Sequence, residues 1–416
     1  MRASAIVVAC MVVACGSVTP SSEPSPTPAP AGPWWPVETG LAANAWIPTL
    51  GPATIDEPTP HVYGGSTATA VVEFRGSLLA FGGVNGGCCD GSFSTDTHAV
   101  VWSSVDGHAW RLHETGPELA LGSIAAAAAS ADRVVVVGAR HLPSREEEGS
   151  LEYQGAVWTS GDGEMWELVA DVPAFATVLA TASGFVAASH AEPFPELWWS
   201  ETGSSWQRIA ALPELGAGRI HRLLATPIGF FGVGSAVNPE AGGQAEIDVD
   251  PPAAVWRSTD GRSWVQVPWS ATFAGASMLD VAWSDGRLLA VGFGGAEARP
   301  AFWTSTDGDT WDRIQAPGLD MGPGATEAWP SRVIGVAHGF AVAATWSLVT
   351  DDSARIGRVV WATRDGLGWE AVGVQGETEI HDWALLPGGG VAVVGSGYDP
   401  DIGRAVPLAW TIAAPP

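Results

Sequence analysis

Short apolar runs separated by tight-turn residues recur along this chain. Val71-Val72-Glu73-Phe74 and Leu78-Leu79-Ala80-Phe81 flank Arg75-Gly76-Ser77. In the same way Leu279-Asp280-Val281-Ala282-Trp283 and Leu288-Leu289-Ala290-Val291 flank Ser284-Asp285-Gly286-Arg287. Runs this short, bounded by Gly, Asp and Ser, read as β-strands joined by tight turns. Further pairs begin near Ser123, Thr177, Arg222, Arg332 and Asp382, which makes seven in all.

Between these pairs stands a second pattern. An apolar residue and Trp are followed by two residues ending in Ser or Thr, one residue, Asp-Gly, two residues and Trp. Six copies run from Trp102 to Trp110, Trp158 to Trp166, Trp198 to Trp206, Trp256 to Trp264, Trp303 to Trp311 and Trp361 to Trp369, each with a spacing of eight. Asp106, Asp162, Asp260, Asp307 and Asp365 precede the Gly; only Thr202-Gly203 departs. Asp accepts hydrogen bonds from nearby amides and Gly takes a positive φ, so the string predicts a structural turn between two strands.

Two strand pairs per repeat give four short antiparallel strands, which is a propeller blade. The chain ends on a third strand, Ala409-Trp410-Thr411-Ile412, with no Asp-Gly after it. Near the start, Gly32-Pro33-Trp34-Trp35-Pro36-Val37 matches the frame of Gly107 to Leu112. The pattern predicts an all-β, seven-bladed propeller whose last blade is closed by an N-terminal strand around Trp34-Trp35, which removes an open edge. Six blades with decorative ends is the alternative count.

The Ser-x-Asp-Gly-x-x-Trp string resembles the Asp-box, or bacterial neuraminidase repeat, of sialidase-like propellers. It departs by one residue, because that pattern separates Asp from Gly. In those families the box is a structural turn away from the active site, so the resemblance implies the fold and leaves activity open.

Residues 1–14 read as a secretory leader, with one Arg before an apolar run. Val12-Val13-Ala14-Cys15 resembles a bacterial lipobox, which implies that Cys15 carries a lipid; Cys10 ends a similar run. An ordinary signal peptide is the alternative. Residues 15–33 are assigned as a tether, of which Val18 to Pro33 is rich in Pro and Ser and predicts a span of roughly 50 Å at about 3.1 Å per residue. The propeller is assigned residues 34–416, and no later segment is long and apolar enough to cross a bilayer. These features place the protein outside the cytoplasm, lipid-anchored at a cell surface or in a periplasm, and as a monomer.

Composition changes the list of partners. The net charge is −26 and all 19 basic residues are Arg, which argues against nucleic acid and anionic lipid surfaces. A protein or glycan ligand remains, with membrane contact through the lipid alone. The loops joining second to third strands vary most and carry Glu146-Glu147-Glu148, Glu246, Asp248, Asp250, Asp351-Asp352, Asp399 and Asp401. A Ca²⁺ site and a solvated acidic rim are the two readings; no EF-hand spacing is present, and no metal or cofactor is assigned.

Charged residues open the first strands of blades four to seven: Arg222, Asp280, Arg332 and Asp382, with His221 and His381 beside two of them. A polar ligand site at the channel mouth and a ring of salt bridges closing the hole both fit this alternation. Cys88-Cys89 predicts a strained vicinal disulfide, either redox-active or a loop stiffener.

No catalytic residue is assigned. The leading expectation is a non-catalytic binding or scaffold propeller. A sialidase-like glycoside hydrolase is the alternative; those enzymes use a Tyr nucleophile with a nearby Glu and three Arg on the substrate carboxylate. Tyr153 with Glu152 is the available pair, and the three Arg would come from Arg222, Arg332 and Arg404, but the Phe/Tyr-Arg-Ile/Leu-Pro motif is missing. An envelope assembly factor is the third class.

Overall fold

The structure is a computed structural model. It describes residues 45–46, 66–85, 97–113, 119, 122–143, 151–169, 171–189, 195–210, 218–236, 252–294, 299–314, 319, 327–350, 353–375, 378–387, 389–399 and 404–412. The compact unit that carries them spans Trp35–Pro416. Its strands form seven four-stranded antiparallel sheets, each built from consecutive strands except the last. Blades 1 to 6 cover residues 66–113, 122–169, 175–210, 218–266, 277–314 and 327–375. Blade 7 takes its first three strands from 378–412 and its fourth from the start of the chain. This is the seven-bladed propeller that the repeat predicts.

The closing strand differs from the expected one. The edge of Arg404–Ile412 pairs with Ala45–Trp46, with Ala45 opposite Ala409 and Trp46 opposite Leu408. The Trp34-Trp35 segment, to which the sequence assigns this edge, lies outside the described residues. The shared frame is not kept: Leu112 stands opposite Trp102 in blade 1, whereas Trp46 stands opposite Leu408. An open edge offers backbone N–H and C=O to any extended segment, so the frame is not required there.

Second strands are apolar throughout because each blade is covered on both faces. Leu288, Leu289, Ala290 and Val291 are at most 1 % exposed. Cores therefore lie between blades. One joins Trp102, Leu78 and Val100 of blade 1 to Ala392, Val394 and Ala409 of blade 7 and so closes the ring. Another joins Phe302 and Leu289 of blade 5 to Trp361 and Val342 of blade 6. Five of the repeat's leading Trp residues, Trp102, Trp158, Trp256, Trp303 and Trp361, are fully buried at these seams.

The Asp-Gly turns are longer than a two-residue hairpin. In blade 1 the third strand ends at Ser104 and the fourth starts at Arg111. Asp106 Oδ1 accepts from the amides of His108 (2.8 Å) and Ala109 (3.0 Å). The buried Ser104 hydroxyl accepts from the Gly107 amide and donates to Asp106. The Trp110 indole N–H donates to the Gly107 carbonyl at 3.0 Å. The same indole contact recurs at Trp206, Trp264, Trp311 and Trp369. The turn is thus a closed hydrogen-bonded knot, which explains why Ser, Asp, Gly and Trp recur together.

Candidate functional site

All seven first strands carry a register shift at the same level. It falls between Ala68 and Ala70, Ile124 and Ala126, Phe175 and Thr177, Ile220 and Arg222, Met278 and Asp280, Pro330 and Arg332, and Ile380 and Asp382. A bulge of this kind re-aims the side chain that follows it. Blades 1 to 3 place Ala70, Ala126 and Thr177 there, while blades 4 to 7 place Arg222, Asp280, Arg332 and Asp382. The charged residues do not open their strands as the sequence suggests. The strands start earlier, at Gly218, Ser277, Glu327 and Thr378, and the bulge brings the charges to one level inside the channel.

The structure brings Arg222, Asp280 and Asp382 into one cluster, while the side chains of Arg332 and His221 meet backbone carbonyls and the His381 imidazole meets Glu379 elsewhere. Arg222 Nε lies 3.4 Å from Asp280 Oδ1, and its Nη2 donates to Asp382 Oδ1 at 3.2 Å. Asp280 Oδ2 accepts from the Val333 amide of blade 6 at 3.0 Å, and its Oδ1 accepts from Val281 at 2.9 Å. In the same manner Asp382 Oδ2 accepts from the Val71 amide of blade 1 at 3.0 Å. Arg332 Nε donates to the His381 carbonyl at 2.7 Å, and Nη1 to the Ser331 carbonyl at 2.9 Å. His221 Nδ1 lies 2.9 Å from the Met278 carbonyl, so this nitrogen carries the proton in that contact. The other contacts between blades join neighbours, whereas Arg222 of blade 4 meets Asp280 of the next blade and also reaches Asp382 of blade 7.

Burial, 1 % exposure for Asp280, pushes its carboxyl up, against Arg222, Arg332 and the two amides. For Arg222 burial pulls down, but the Asp280 and Asp382 carboxylates outweigh it and hold the guanidinium above its usual range. Its side chain is packed round by protein yet keeps 31 % exposure, because it faces the channel's own space.

That space is a cavity of about 850 Å³ whose lining runs from Arg222 and Asp280 to Leu385, Leu386 and Pro387 in the first hairpin of blade 7. First hairpins and Asp-Gly turns lie at the same end of an up-and-down blade. The cavity therefore occupies the half of the channel opposite the variable loops. The sequence names Arg222 and Asp280 at the channel mouth but carries no sign of the apolar half beyond them, because Ala, Val and Leu after a charged residue look like ordinary strand.

On the other side of the bulges stands a second polar group. Arg358 Nη2 donates to Glu379 Oε1 at 2.5 Å, and His381 Nε2 lies 3.2 Å from Glu379 Oε2. Burial opposes ionisation of Glu379, but His381 and Arg358 hold it below the usual carboxylate range. The Ser396 hydroxyl lies 3.5 Å from the same His381 Nε2. A relay through imidazole needs the acid on one ring nitrogen and the nucleophile on the other. Here both partners share one nitrogen, so the trio is not arranged as a hydrolytic triad.

The residues weighed for a sialidase stand on strands of four different blades. Tyr153 is 70 % exposed on the third strand of blade 2, opposite His141. Arg404 begins the third strand of blade 7, opposite Asp399, whereas Arg222 and Arg332 stand on channel strands. The turn carboxylates Asp106, Asp162, Asp307 and Asp365 are all held below the usual range, and Asp260 is lowered to about 2, chiefly by the amides of Ser263 and Arg262. Cys15, Cys88, Cys89 and most of the acidic loop residues lie outside the described residues. Among the described residues, no cluster of three metal-ligating side chains occurs and no helix is long and apolar enough to cross a membrane.

No family model matches the chain. No curated protein matches it either. Among solved structures it is similar to a Trypanosoma rangeli sialidase at 13 % identity and a TM-score of 0.44, over 89 % of this chain and 57 % of that one. It is also similar to the β-propeller domain of the trilobed protease from Pyrococcus furiosus, at 10 % identity and a TM-score of 0.47, over 84 % and 95 % of the two chains. A neuraminidase-like protein of subtype N11 from a flat-faced bat influenza A virus matches at 10 % identity and a TM-score of 0.42, over 91 % and 96 %. The chain spans just over half the length of the sialidase. The propeller assignment rests on strand order and not on these likenesses.

Proposed function

We propose that this chain is an exported, lipid-tethered propeller that binds or holds a partner and catalyses no reaction. One observation supports the reading above the rest. The channel residues whose types suggest chemistry are engaged in joining blades. His221 links blades 4 and 5, Asp280 links 5 and 6, Arg332 links 6 and 7, and Asp382 links 7 and 1. Groups used in this way hold a ring in shape. A rigid ring presenting variable loops on one face is a frame for recognition.

The test compares two readouts on the full chain. Metabolic labelling with a fatty acid is expected to mark the wild type and to be lost in Cys15→Ser. A fluorogenic sialoside is expected to show no hydrolysis above the buffer blank. Hydrolysis that disappears in Tyr153→Phe would overturn the non-catalytic reading in favour of a glycoside hydrolase. Labelling that survives Cys15→Ser would overturn the assigned lipid site.

A further inference from the structure

The cavity described above has the make-up of a small-molecule site. Ligand pockets of about 300–1,000 Å³ are mostly apolar with a few placed polar groups, and this one measures about 850 Å³. Its half-buried wall includes Val72, Leu224, Trp283, Ile334 and Leu386. Ala127 and Ala384 supply the room between them. At the hairpin end Leu385 is 49 % exposed, and Glu73 of blade 1 also lines the space. An apolar wall favours a ligand with an apolar body.

The inner end decides the head group. Both oxygens of Asp280 and both of Asp382 already meet Arg222 or backbone amides. Arg222 uses two of its nitrogens in these contacts, and a guanidinium carries five N–H donors and no acceptor. What it offers the cavity is donation alone. An anionic head would meet the two carboxylates, and a cationic head would meet the guanidinium. A neutral acceptor, a carbonyl or a hydroxyl, meets neither penalty.

We propose that the hairpin-side half of the channel binds a neutral amphipathic small molecule. Its carbonyl or hydroxyl takes hydrogen bonds from Arg222, and its aliphatic or alicyclic body lies along the apolar wall. This deepens the binding reading above and rests on it.

The test titrates the full chain with three ten-carbon probes, 1-decanol, decanoate and decylammonium, each below its aggregation limit, by isothermal calorimetry. The expected result is saturable binding of 1-decanol, with the two charged probes at least about tenfold weaker. Ala384→Phe fills the cavity without touching the charged cluster and is expected to lower 1-decanol affinity by at least about tenfold. If its melting curve shows that it does not fold, Ala127→Val provides a graded loss in its place. Failure of 1-decanol to bind, tighter binding of decanoate, or unchanged affinity in the folded filled variant each overturns the proposal. Sialoside hydrolysis would instead overturn the non-catalytic reading and leave this titration standing, so the two failures are separable.

Discussion

Gly308 and Gly286 share nearly the same backbone angle, φ +76° and +79°, but not the same surroundings. A Cβ at Gly308 would lie 2.1 Å from the Phe231 ring of the preceding blade, while one at Gly286 would meet nothing within 4 Å. Both positions impose left-handed strain on alanine, about 1–2 kcal/mol. Only Gly308 adds overpacking, about 1–3 kcal/mol. Gly308→Ala is therefore expected to lower the denaturant midpoint clearly more than Gly286→Ala, and equal shifts would deny that the turn is a wedge between blades. The turn carboxylates carry a second prediction. Asp260 is lowered to about 2 by the amides of Ser263 and Arg262. A depressed carboxyl stabilises the fold above its unfolded value near 4 and loses that contribution as the pH falls through about 2. Asp260→Asn keeps an acceptor but loses the charge. The gap in melting temperature between wild type and variant is expected to be open at pH 6 and to narrow towards pH 2. A gap constant with pH would show that the charge contributes nothing.

The turn element of blade 3 lacks its carboxylate and serves as a natural test of what Asp adds. Among the turn's amides Thr202 Oγ1 meets that of Ser204 alone, at a long 3.4 Å, beside a 2.6 Å contact to the Ser204 hydroxyl, although Ser200 still caps Gly203 at 2.8 Å. Thr202→Asp restores the acceptor used twice in the other five copies. By analogy with helix capping it is expected to add about 1 kcal/mol, and so to raise the melting temperature by about 1–2 °C for a chain of this size. A fall would mean that the blade 3 turn has a different backbone need. The same element shows what was legible in the residues and what was not. Ser, Asp, Gly and Trp at fixed spacing announced a hydrogen-bonded turn because each supplies one bond of the knot. Asp-Gly alone did not specify its length: Asp285-Gly286, with both φ positive, makes the two-residue hairpin between Ser284 and Arg287, whereas Asp106-Gly107 sits in a longer connection. The charged channel level was legible as Arg222, Asp280, Arg332 and Asp382. The bulge was not, since its signal is spread over two strands. Gly82, Gly138, Gly234, Gly292 and Gly395 stand opposite the residue before it. At Gly395 a Cβ would lie 1.7 Å from the Glu379 carbonyl oxygen. The apolar cavity had no signal of its own, because it is a shape made by seven strands rather than a pattern in one.

At the scale of the ring, closure between blades 7 and 1 draws on two unequal sources. Among the described residues the N-terminal strand pairs through Ala45 and Trp46. A ladder that short is worth about 1 kcal/mol per hydrogen bond. Against it stand the core of Trp102, Leu78 and Val100 with Ala392, Val394 and Ala409, and the bond from the Val71 amide to Asp382. Thr411 adds a contact under the Gly107 turn, where a Cβ would come within 2.8 Å of its methyl group. Burying a single large side chain contributes about 1.5–3 kcal/mol, so packing outweighs the strand. Removing residues 1–50 is therefore expected to leave a folded propeller with a melting temperature only a few degrees lower. The uncovered edge from Arg404 to Ile412 would then offer a row of unpaired backbone groups, and such edges recruit other chains. The truncated protein is expected to dimerise with rising concentration in light scattering after gel filtration, while the full chain stays monomeric. Loss of the folded state on truncation would show that the strand, not the seam, closes the ring. A truncated protein that stays monomeric at every concentration would show that the edge is protected by something other than Ala45–Trp46.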